Sequence, residues 1–110
     1  MRSEELQIAK TESRFRDVNE RIVETAVRIG AHEAEIVCEC ADPECGERIA
    51  APLDDYEETR ANGSYFLVAP GHEVQEHEDV VGTHPGFRVI EKLGGVGAVA
   101  QRLNPRRVEI

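Results

Sequence analysis

The chain has no tryptophan, two tyrosines, three phenylalanines and a single methionine. A core must therefore rest on Val, Ile, Leu and Ala, and little material remains for a deep, aromatic-lined substrate pocket. No apolar run approaches the roughly 20 residues of a membrane-spanning helix. Met1-Arg2-Ser3-Glu4-Glu5 lacks the apolar stretch of an export signal, so a cytoplasmic protein is expected. Basic residues are nearly missing from the middle of the chain. Residues 33–58 hold ten acids against one base, Arg48, whereas residues 1–29 are balanced at six and six. The net charge is −9. Such a stretch repels a phosphate backbone, so nucleic-acid binding through that face is not expected. The plain reading is a solvated acidic surface, and the functional one is a docking face for a basic protein partner. Composition leaves the oligomeric state open.

Cysteine is scarce too, and its placement is the most informative feature of the sequence. All three cysteines fall within Cys38-Glu39-Cys40-Ala41-Asp42-Pro43-Glu44-Cys45. An odd number cannot pair completely within one chain, and a reducing compartment disfavours disulfides. Three thiols this close suggest corners of a metal site rather than core packing. Zinc takes four tetrahedral ligands, and Cys38, Cys40 and Cys45 supply three of them. His72, following the Pro70-Gly71 turn, is the first candidate for the fourth, with Glu73 placed to orient its ring. His32, His77 and His84 are competitors. A closed site of three thiolates and one imidazole holds structure and has no position for a reactive water.

Two other chemistries compete. If water were the fourth ligand, the site would suit a small metal-dependent hydrolase, with Glu39, Glu44 or Glu73 as base. The zinc-deaminase pattern does not fit, because there the metal histidine precedes the paired cysteines. An iron–sulfur or redox sensor is the second alternative. Cys38-x-Cys40 with Pro43-x-Cys45-Gly46 resembles part of the CDGSH iron–sulfur motif. Here, however, the spacer before the third cysteine is too short, and no histidine follows Cys45 closely. An enzyme is therefore less expected than a structural zinc protein acting as an interaction or regulatory module.

Around the site, Leu6, Ala9, Phe15, Val18, Ile22, Ala26 and Ile29 follow helical spacing and predict one long helix over residues 4–29, stopped by Gly30. Asn19 and Glu20 are expected to face solvent. Glu33–Cys40 and Glu47–Ala51 read as a hairpin, zinc-ribbon-like, with the thiols at its tip. Leu53–Arg60 reads as a short helix and Tyr65–Val68 as a strand. Asp79–Val81 and Phe87–Glu91 read as a second hairpin. The expected fold is α+β: a long N-terminal helix packed on a small antiparallel sheet. Residues 1–93 form one metal-binding domain, and residues 94–110 form a short helix or flexible tail. Gly94-Gly95-x-Gly97 reads as a joint, since no phosphate-loop pattern completes it.

Four segments resemble a group of small, uncharacterised bacterial proteins: residues 15–22, the C-E-C-x4-C run of residues 38–45, residues 55–60, and Phe66-Leu67-Val68-Ala69-Pro70-Gly71-His72-Glu73. The resemblance spans residues 5–92. It implies no activity, but it implies that the cysteine run and Pro70–Glu73 belong to one site.

Overall fold

A computed structural model describes residues 3–74 and 76–106. The chain runs α1 (Ser3–Arg28), β1 (Glu33–Val37), β2 (Arg48–Pro52), α2 (Leu53–Arg60), β3 (Tyr65–Val68), β4 (Glu78–His84), β5 (Phe87–Lys92) and α3 (Gly94–Arg102). The architecture is α+β, with the long N-terminal helix expected from the sequence. The antiparallel strands form two small sheets instead of one. β1 and β2 pair alone, with Ile36 opposite Ile49. The second sheet has the order β3-β5-β4.

Both ends of α1 have local causes. Glu4 and Glu5 lie in its first turn, where the helix dipole favours acids. At the far end Gly30 takes φ 76°. Its N–H donates to the Val27 carbonyl (3.1 Å) while Ala31 N–H donates to the Ala26 carbonyl (2.9 Å). This is a Schellman cap, which a left-handed glycine permits.

The buried side of α1 differs from the apolar stripe read in the sequence. Val18 and Ile29 are exposed; Thr11 and Ser13 are buried near the start of the helix, and the continuous inward row is Ala9, Glu12, Arg16, Asn19, Val23 and Ala26. Their spacing alternates three and four residues, as one helix face requires. Asn19, expected in solvent, is fully buried. Charged residues occupy inward positions because each meets a partner. Arg16 donates to the carbonyls of Gly63 (2.7 Å) and Ala100 (2.9 Å) and lies over the Phe66 ring. Glu12 and Glu78 both contact Lys92, and all three are buried.

Apolar packing divides around these charges. The larger cluster gathers Val23, Ile36, Ile49, Tyr56, Phe66, Leu67, Phe87 and Ile90. A smaller one joins Ala9 of α1 to Val96 and Val99 of α3. Gly94-Gly95-Val96-Gly97, read as a joint, forms the first turn of α3. Gly97 allows that turn to approach the end of β5: a Cβ there would lie 2.6 Å from the Lys92 carbonyl oxygen. Among the described residues no helix is long and apolar enough to cross a membrane.

Candidate metal centre

The loop between β1 and β2 carries all three thiols. Cys38 N–H donates to the Glu47 carbonyl (2.9 Å), so the arms of the hairpin stay together one residue beyond the ladder. On the other side, Glu39 N–H donates to the Leu67 carbonyl of β3 (2.8 Å). Cys38–Cys40 is thereby held between the β2 arm and β3, and it bridges the two sheets. Successive side chains of an extended segment point to opposite sides. Glu39 turns inward, where Leu67 N–H (2.9 Å), Asn19 Nδ2 (2.7 Å) and Arg60 surround its carboxylate. Cys38 and Cys40 turn the other way.

Two turns complete the group. Asp42 Oδ1 accepts from Glu44 N–H (2.9 Å), and the Asp42 carbonyl accepts from Cys45 N–H (3.1 Å). This tight turn folds Cys45 back toward Cys38 and Cys40. After β3, His72 N–H donates to the Ala69 carbonyl (3.1 Å), with Gly71 at φ 86°. Proline then glycine at the two central positions fits a type II turn, which needs a positive φ at the second. Ala69 N–H donates to Cys38 Sγ (3.2 Å), so the same short segment positions both the ring and a sulfur.

The three sulfurs and one ring nitrogen of His72 all lie within 4.8 Å of one another. His72 Nδ1 is 3.6 Å from Cys38 Sγ and 3.6 Å from Cys45 Sγ. Zinc–sulfur bonds of about 2.3 Å and zinc–nitrogen bonds of about 2.0–2.1 Å at tetrahedral angles put sulfur and nitrogen about 3.6 Å apart. The group therefore has the dimensions to hold a metal ion. Cys38 and Cys40 are buried, while Cys45 and His72 are part-exposed, so the cluster sits at the rim of the fold.

The electrostatics favour a cation. Cys40 is pulled down to about 5, chiefly because the Cys38 thiol donates to it. Cys38 is pushed up by that same bond and by burial. Burial also raises Cys45. One thiolate is accommodated at the cost of its neighbours, because like charges this close oppose further ionisation. A cation at the centre would remove that conflict.

The second ring nitrogen of His72 lies 3.8 Å from Glu47 Oε2. Glu73, expected to orient that ring, instead pairs with Arg88 at 2.6 Å. Of the other carboxylates considered as a base, Glu39 is committed to Arg60 and Asn19, while Glu44 is exposed. His32, His77 and His84 all lie outside the group. His84 instead stacks on Phe87, with ring centroids 4.6 Å apart.

Asn19 was expected in solvent and Arg60 was given no role beyond ending a helix, yet both position the cysteine segment. Asn19 Oδ1 accepts from Val37 N–H (2.8 Å), and its Nδ2 donates to the Val37 carbonyl (2.8 Å). It thus satisfies both backbone groups of Val37, the last residue of β1. The one available signal was a polar residue at a three- and four-residue spacing from Arg16 and Val23. No family model, curated protein or solved structure matches the chain.

Proposed function

We propose that the chain binds one zinc ion through the thiolates of Cys38, Cys40 and Cys45 and through His72 Nδ1, and that the ion serves structure rather than catalysis. The observation that carries this reading is the convergence of four donor atoms within 4.8 Å. Thiolate with imidazole is a zinc donor set, and four protein ligands leave no coordination position for water. The ion would tie the β1–β2 loop to the turn after β3, two segments otherwise joined by few hydrogen bonds. Its binding free energy then becomes folding free energy.

On this reading the chain is a small cytoplasmic interaction or regulatory module. The acidic stretch of residues 33–58 supports a basic protein as partner and argues against nucleic acid. The test is elemental mass spectrometry with an absorbance spectrum on protein purified without added metal. One zinc per chain and a colourless sample support the reading. Iron with sulfide and visible absorbance overturn it, as does metal-free protein with three titratable thiols.

A further inference from the structure

A second site lies away from the cysteines, between α2 and the β4–β5 hairpin. Asp55 and Glu58 of α2 and Val81, Gly82 and His84 of β4 line a half-open cavity of about 130 Å³. A cavity of roughly 150 Å³ can hold benzene, so this one has room for a planar guanidinium or an ammonium group. The wall contains no lysine or arginine and two carboxylates. Asp55 Oδ2 lies 3.7 Å from His84 Nδ1, within ion-pair range but too far for a hydrogen bond, so the carboxylate can still accept one. Stacking on Phe87 fixes the His84 ring. Glu58 and Val81 are exposed and mark the mouth.

The mouth adjoins the outer strand of a sheet. Among the described residues, β4 pairs only with β5. An outer strand presents unpaired N–H and C=O groups that another extended chain can match. Val80 and Val81 are 45% and 44% exposed on this strand. A register shift between Val80 and Gly82 marks a bulge. Bulges re-aim side chains, and here Val81 joins the cavity wall beside Gly82 and His84.

We infer that the β4 edge and this cavity form a docking site for an extended basic segment of a partner protein, whose arginine or lysine side chain enters between Asp55 and Glu58. The inference rests on reading the chain as an interaction module. It uses no residue of the cysteine–histidine group. Charge complementarity selects the occupant: carboxylates at the cavity would repel an acidic or phosphorylated segment.

The probe is the peptide acetyl-Ser-Val-Arg-Val-Ser-amide, titrated into ¹⁵N-labelled full-length protein as purified. Its citrulline counterpart keeps the shape and loses the charge. The expected result is amide shifts confined to residues 55–59 and 79–84, with the citrulline peptide at least tenfold weaker. Asp55→Asn with Glu58→Gln should weaken the arginine peptide at least tenfold while lowering the melting temperature by no more than a few degrees, the cost of one acid in the first turn of α2. Gly82→Ala is a second variant: its Cβ would meet His84 Nε2 at 3.5 Å, an ordinary contact, and fill part of the cavity. Equal binding of both peptides, shifts elsewhere, or no binding at millimolar peptide overturns the inference. Zinc content on the same sample reports separately on the metal reading. Peptide binding without zinc would sink that reading and leave this one standing.

Discussion

Glu12→Gln should make the protein more stable at pH 8 and nearly unchanged at pH 5. Glu12 is buried against Lys92, which also contacts Glu78, so two carboxylates share one ammonium. Its Oε1 has no hydrogen-bond partner among the described residues. Burial raises its pKa from 4.5 to about 7, and the attraction of Lys92 offsets only part of that effect. In the unfolded chain the group ionises near its ordinary value. Between pH 4.5 and 7 the native state therefore holds a proton that the unfolded state has released, and stability falls as pH rises. Each tenfold difference in proton affinity corresponds to about 1.4 kcal/mol, so the loss approaches about 3 kcal/mol by pH 8. Glutamine removes the charge, keeps the size and leaves Lys92 paired with Glu78. The assay is urea unfolding of both proteins at several pH values. Acid also protonates the thiols in both, so only the difference between the two proteins is read. That difference should grow by about 2–3 kcal/mol from pH 5 to pH 8. A variant destabilised by several kcal/mol at pH 8 refutes the reasoning, because Glu12 would then be an ionised partner that Lys92 cannot lose.

Three further outcomes are expected. His72→Ala should weaken zinc binding by more than the roughly 10–100-fold typical of groups outside the coordination sphere. Competition with a chromophoric chelator measures it, and an unchanged affinity would exclude His72 as a ligand. Asn19→Ala should cost about 3 kcal/mol in denaturant unfolding, because it strips the Val37 N–H and carbonyl and the Glu39 carboxylate of a buried partner. A cost below about 1 kcal/mol would mean that water replaces the amide. Gly97→Ala should lower the melting temperature despite alanine's better helix propensity, since its Cβ would press on the Lys92 carbonyl. Gly46→Ala, whose Cβ would meet nothing within 4 Å, is the control.

Local patterns were legible in the sequence where one physical rule acts alone. Leu53–Arg60 and Tyr65–Val68 were read with the bounds the structure shows, because turn residues punctuate both. The cysteines stood out as a group through spacing, and His72 through its Pro-Gly turn. The inward face of α1 was not legible. Its spacing is helical, but Asn19 was expected in solvent and nothing marked Glu12 or Arg16 as inward, because their partners at Val37, Lys92 and Gly63 are not visible in a local pattern. Those partners lie 18, 80 and 47 residues away in the chain. Single-sequence periodicity weighs only hydropathy and carries no such pairings. For the same reason Glu73 was assigned to His72, whereas Arg88, from the far side of the β4–β5 hairpin, claims it.

The charged seam of α1 also restricts how the sequence can drift. A purely apolar helix face can slide by a turn and bury nearly the same area, but here a one-turn slip would separate Glu12 from Lys92, Arg16 from the Gly63 carbonyl, and Asn19 from Val37. Specific polar pairs of this kind set the register of packed helices in other systems. Substitutions along the seam should therefore arrive in matched sets across relatives. Position 12 would change together with 78 and 92, and position 19 with 39 and 60, while the flanking apolar positions vary independently.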